Sequence, residues 1–263
     1  MKQQIKWIAV LLAGAQGFVP GMAHAQDEAY VTLSAGYEYS TGKYGTDATT
    51  EIVTIPVTAE YETGPWVLRL IVPYLRITGE GDVVVSGGFR GGRGSTSTVS
   101  QTSTTRSGLG DVVTMLSYNL YADDATASGL DLAGRVKFGT ASQTMGTGEN
   151  DYAVQLSAYR DVGNFTPGIM LGYEMLGSTE LLPLDNVYYG SAWLGYIFSE
   201  QADAGLEYKY VQRASATAAE QRQLTFYANY RIADDVYLRG YLQKGYADGS
   251  PDTGYGVSIA SVF

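Results

Sequence analysis

Two carboxylates two residues apart, Glu60 and Glu62, and a charged alternation further on, Asp131, Arg135 and Lys137, are the groups in this chain with the means for acid–base or electrostatic work. Paired carboxylates suit general acid–base catalysis of the glycoside-hydrolysis kind, but that chemistry needs a fixed separation across a substrate, which spacing along one segment does not supply. Nucleophilic chemistry is poorly provided for. There is no cysteine, and the single histidine, His24, lies in a segment that reads as removable. A Ser-His or Cys-His nucleophile and a His/Cys metal centre are therefore not expected in the mature chain, nor is any cofactor. The expectation is a protein that is not an enzyme.

The remaining chemistry-bearing residues are positioned by elements that the pattern of the chain makes legible. The first residues run from Lys2 and Lys6 through an apolar stretch at Trp7–Ala15 to Ala23-His24-Ala25, the order of charge, apolar core and small-residue cleavage site of a secretory signal peptide. Residues 1–25 are expected to be cleaved and residues 26–263 to form the mature domain. The cut removes two lysines and no carboxylate, taking the formal net charge from −10 to −12. An acidic chain of this kind is a poor partner for nucleic acid, whose phosphates call for Lys and Arg. With no cysteine available for disulfides after export, stability must come from packing and backbone pairing.

Tyr 22 and Gly 33 in 263 residues is a biased usage, and tyrosine settles where hydrocarbon meets water. No mature stretch has the roughly 20 apolar residues of a membrane helix. Segments of about ten residues with strict period-2 alternation recur instead from end to end. In "YVTLSAGYEY" Val31, Leu33, Ala35, Tyr37 and Tyr39 share one face and Thr32, Ser34, Gly36 and Glu38 the other. Twelve such segments are predicted, near 29–40, 51–62, 65–77, 109–121, 129–139, 151–161, 166–177, 187–198, 203–212, 222–232, 236–245 and 253–263. The fold class is all-β, a transmembrane antiparallel up-and-down β-barrel of about 12 strands in the outer membrane of a Gram-negative cell. Pro56 and Pro73 fall inside predicted strands and suggest bulges. Tight turns alternate with longer polar links, the longest of them the Gly/Ser/Thr-rich stretch from Gly79 to Gly108, expected outside the cell as a binding surface, an inward constriction or a mobile loop.

Outward aromatics sort into two belts, Tyr61, Trp66, Tyr118 and Phe198 among the lower set and Tyr39, Tyr74, Phe138 and Tyr188 among the upper. The last segment places Tyr255, Val257, Ile259 and Phe263 on one face, a closing strand and an assembly signal for the β-barrel assembly machinery. Inward charges follow from the same alternation, with Arg69, Asp111, Arg135, Lys137 and Arg239 the leading lumen-lining candidates. Inward aromatics join them at Tyr159, Trp193, Tyr227 and Tyr241. The charges either set selectivity or form a salt-bridged interior, since buried charges must be paired or solvated. The rings either line a path for small aromatic or weakly polar solutes or fill space, because about twelve strands lies between solid barrels and water-filled ones.

The run Ser107-Gly108-Leu109-Gly110-Asp111-Val112 leading into an amphipathic strand, and "VPYLRITGEGDV" at Val72–Val83, resemble the outer-membrane transporters associated with the meta-pathway of phenol degradation. The resemblance is motif-specific between about residues 66 and 121 and implies a diffusion channel for small, aromatic molecules. The functional expectation is thus a passive outer-membrane channel whose partners are outer-membrane lipid and a small-molecule solute. The alternative is a closed barrel, structural or acting as an anchor for a surface-interacting 79–108 loop.

Overall fold

A segment with one apolar and one polar face can cross hydrocarbon only if its backbone groups are paired on both sides, which for strands requires a closed sheet. The computed structural model describes residues 29–79, 104–142, 145–180, 183–216 and 218–263, and in it the sheet closes. The strands are β1 (Tyr30–Gly42), β2 (Thr50–Thr63), β3 (Trp66–Gly79), β4 (Thr104–Leu109), β5 (Val112–Asp123), β6 (Ser128–Phe138) and β7 (Asp151–Arg160). They continue as β8 (Phe165–Met175), β9 (Val187–Ser199), β10 (Ala202–Val211), β11 (Gln221–Ala233), β12 (Val236–Gly245) and β13 (Thr253–Val262). Neighbours pair antiparallel, and β13 returns to β1 from Thr32 opposite Val262 to Thr41 opposite Thr253. β4 and β5 both pair with β3, at Tyr74–Gly79 and Trp66–Ile71 respectively, so they are two halves of one stave. The protein is a closed antiparallel barrel of 12 staves.

The fourth stave therefore begins at Thr104 rather than near residue 109, and β3 with β4 makes a hairpin that starts the longest connection. Residues 80–103 of that connection, like residues 1–25 where a signal peptide is expected, lie outside the described residues. Short turns gather at one end with both described termini: Gly64-Pro65 joins β2 to β3, and Val31 exchanges backbone hydrogen bonds with Phe263 at 3.1 and 2.8 Å.

The bulge expected near Pro73 falls on the fourth stave, where Gly110, Asp111 and Val112 face Val72 and Pro73, while Pro56 interrupts pairing without a change of register. Pro56 and Pro73 lie opposite each other in an unshifted β2–β3 ladder. The irregularity falls on their other sides. The β1–β2 ladder skips from Ala35↔Val57 to Glu38↔Thr54, and β3 leaves β5 at Ile71 to rejoin β4 at Tyr74. A proline has no N–H to give, and here that loss is confined to the faces where pairing is already interrupted. Gly110 fills the interruption between β4 and β5, donating its N–H to the Pro73 carbonyl at 2.8 Å. A Cβ there would lie 2.8 Å from the Leu75 side chain and 3.0 Å from Pro73, so a side chain there would have to displace both.

The outward face is apolar along every stave, with Leu33, Val57, Leu70, Leu171 and Ile259 all exposed. Such a face is costly in water and suited to lipid. Its rims carry ring pairs: Trp66 with Tyr118 at 4.6 Å and Phe165 with Tyr196 at 4.9 Å toward the turn end, Tyr39 with Tyr255 at 5.3 Å and Tyr173 with Tyr188 at 4.9 Å toward the loop end.

Candidate functional site: the barrel interior

Because the alternation puts every second side chain inside, charges brought into register on adjacent staves meet within the barrel. Glu60 and Arg69 stand opposite each other on β2 and β3 and form a buried, doubly contacted ion pair near the turn end. Arg135 on β6 reaches across β7 to Glu174 on β8, Nη2 to Oε1 at 2.6 Å. The residue between them in the same row is Ala153, whose small side chain lets the pair span the intervening stave. Beside it, the Tyr189 hydroxyl donates to Gln155 Oε1 at 3.0 Å.

At the loop end Lys137 is 1% exposed and holds two carboxylates, Asp111 at 3.2 Å and Asp151 at 3.0 Å. Each aspartate also accepts from a loop backbone: Ala141 N–H donates to Asp111 Oδ1 and Gly177 N–H to Asp151 Oδ1, both at 2.9 Å. One ammonium thus ties the β4–β5 junction, the β6–β7 connection and the β8–β9 connection together. A Cβ on Gly146 would sit 3.0 Å from both Asp111 oxygens, so the connection closes over the aspartate. Apolar packing reinforces this closure. Met145 and Tyr44 from two connections bury themselves against Ile52, Leu75 and Ile77, and a second cluster joins Met170, Leu176, Val187, Tyr189 and Val211, with Leu184 packed on it. Tyr44 adopts φ 50, an uncommon conformation for a bulky residue, and its hydroxyl lies 2.7 Å from Ser40 Oγ. Burial raises its pKa above the ordinary tyrosine value, so it stays protonated.

The inward rings follow a rule of their own. Each of five stands opposite a glycine on the next stave: Tyr159 opposite Gly129, Trp193 opposite Gly168, Tyr189 opposite Gly172, Tyr227 opposite Gly205 and Tyr241 opposite Gly256. A Cβ on any of these glycines would fall 2.1–2.4 Å from the ring. The rings therefore lie down across the neighbouring stave where the glycine leaves room; Tyr159, Trp193 and Tyr241 keep part of their surface toward the interior, while Tyr189 and Tyr227 are covered.

Among the residues singled out from sequence, Arg69, Asp111, Arg135, Lys137, Tyr227 and Arg239 are buried inside, and Tyr159, Trp193 and Tyr241 are half-buried on the same face. The structure joins Asp111 to Lys137 and Arg239 to Tyr227, whose ring centroid is 5.0 Å from the guanidinium carbon. Arg69 and Arg135 belong to other groups. Tyr255, Val257 and Ile259 are exposed on β13, and Phe263 follows it. Sequence reasoning missed the two apolar clusters at the loop end. Their signal was Met145 in "SQTMGTGEN" and Leu184 in "STELLPLDN", apolar residues inside otherwise polar connections. Among the described residues no group of three or more His, Cys, Asp or Glu is placed to hold a metal ion.

This interior, the two ring belts and the closed sheet of 12 staves define the class: an outer-membrane-type β-barrel. No protein-family model and no curated protein matches the chain. Among solved structures, it is similar to an outer membrane channel from Pseudomonas putida F1, at 15% identity and a TM-score of 0.68, over 94% of this chain and 100% of that one. It is also similar to the NanC porin, at 10% identity and a TM-score of 0.54, over 88% of this chain and 98% of the other. Both likenesses are likenesses of fold. The resemblance to the phenol-pathway transporters, motif-specific between about residues 66 and 121, is matched by no family model.

Proposed function

We propose that the protein is a passive channel in the outer membrane for small aromatic or weakly polar solutes, exported by the signal peptide at residues 1–25 and inserted through its C-terminal strand by the barrel-assembly machinery. The observation that carries this reading is the set of five inward rings laid over glycines. A ring that stood upright would fill the lumen, whereas one lying along the wall narrows it less and offers an aromatic face to a passing solute. Fold likeness to a channel and to a porin, and the phenol-pathway resemblance near residues 66–121, accord with it. Catalysis forms no part of the reading, since the mature sequence has neither histidine nor cysteine.

A second reading has its own observation. The Lys137 node and the two apolar clusters close over the loop end, which suits a barrel that is shut and serves as an anchor for the 79–108 connection. Single-channel recording of the refolded mature protein in a planar bilayer decides between them. Discrete conductance steps that small aromatic solutes block are the expected result; a folded barrel without conductance would leave the closed reading standing.

A further inference from the structure

Three buried cations in the described interior are held by carboxylates, Arg69 by Glu60, Arg135 by Glu174 and Lys137 by Asp111 and Asp151. Arg239 is different. It is 8% exposed, and its Nε and Nη1 atoms are buried without a hydrogen-bond partner. The Tyr227 ring covers the guanidinium, its centroid 5.0 Å from the guanidinium carbon. The acidic groups around it are otherwise engaged or more distant. In its own row, Asp203 on β10 and Asn229 on β11 precede it, and both Asp203 oxygens accept from Asn229 Nδ2, at 3.1 and 2.5 Å. Glu207 on β10 also bears on Arg239, through its field and more strongly than Asp203. On the other side the row continues with Ser258 and Gly36, neither of which carries charge or bulk.

A guanidinium in a buried site without an acceptor is unfavourable until an anion or water reaches it, and its planar fork matches a carboxylate in shape and charge. The surroundings specify the rest of the ligand. Tyr227 and Tyr241 stand opposite each other in the β11–β12 ladder, one row toward the loop end from Arg239, with one ring over Gly205 and the other over Gly256; Tyr227 is buried against the guanidinium and Tyr241 keeps part of its ring uncovered. We propose that Arg239, Tyr227 and Tyr241 form a binding site for a small aromatic carboxylate, the carboxylate on the guanidinium edge and the ring against the tyrosines. The site rests on the reading of the interior as a solute path and names the class of solute that pauses there. Asp203, two staves away along the row, weakens the site by its negative charge and keeps binding transient, as passage requires.

The test uses the refolded mature protein with benzoate and its neutral counterpart, benzyl alcohol, measured by calorimetry in detergent and by current block in bilayers. Benzoate binding should fall about tenfold or more in Arg239→Gln, because a charge-assisted hydrogen bond is lost, while benzyl alcohol changes less than twofold. Asp203→Asn should tighten benzoate severalfold. Equal benzoate binding in the wild type and Arg239→Gln overturns the proposal, as does equal loss of both probes. The heat-induced shift in electrophoretic mobility reports folding of each variant. If Arg239→Gln fails to fold, Asp203→Asn decides alone, and unchanged benzoate affinity there overturns the site. Arg239-dependent binding without conductance removes the channel and keeps the site; conductance without selective benzoate binding does the reverse.

Discussion

Arg135 and Arg239 are both buried inside the barrel, and they are treated in opposite ways. Arg135 has a carboxylate at 2.6 Å, reached over an alanine that clears the way. Arg239 has a tyrosine face at 5.0 Å and two nitrogens without a hydrogen bond. The first arrangement fixes three staves relative to one another. The second leaves binding capacity in hand. The interior is thus divided by the way its charge is satisfied, with β2–β8 devoted to holding the wall and β10–β12 exposing an unmatched cation beside aromatic rings.

The largest test of this division is Lys137→Met. It strands Asp111 and Asp151 at once, and breaking a buried pair typically costs about 3–5 kcal/mol. A marked fall in the urea midpoint of the bilayer-inserted barrel is expected, together with increased conductance as the tied connections loosen. Next come Glu174→Gln and Arg239→Gln side by side. The former leaves Arg135 buried and uncompensated and should cost about 3 kcal/mol or more, while the latter removes a charge that has no carboxylate partner and should move stability by about 1 kcal/mol or less. Equal losses in the two variants would break the comparison. An effect between these two is expected from Gly168→Ala. Its new methyl collides with Trp193, and forcing such a ring aside costs about 1–3 kcal/mol. The displaced indole should also reduce single-channel current without abolishing it.

The staves were legible because lipid and interior impose a two-residue period that survives in the chain with almost no interference. Leu132 outward and Asp131 inward follow from alternation alone, and so does the place of Arg239. Which charges meet was not legible, because that depends on register between staves: nothing local to Arg135 announces that Glu174 lies two staves away with an alanine between. The ring-over-glycine pairs are hidden for the same reason, since Trp193 and Gly168 are neighbours only across a hairpin. The fourth stave was shortened in the reading because "TTRSGL" is polar and Gly-containing, and its pairing with β3 is set by the hairpin rather than by its own pattern. The apolar closure at the loop end departed from the alternation rule itself, with Leu75 and Ile77 on the side where polar groups were expected.

The facing prolines of β2 and β3 bear on how the barrel deforms. Around the rest of the wall, rungs of the ladder run from stave to stave and carry strain along the circumference. At Pro56 and Pro73 the rungs toward β1 and β5 are missing at one height, and the fourth stave is cut at the same height. Mechanically this is a crease. Pairing resumes above it, from Glu38 opposite Thr54 to Gly42 opposite Thr50 and between β3 and β4, so the crease is bounded by ladder above and below.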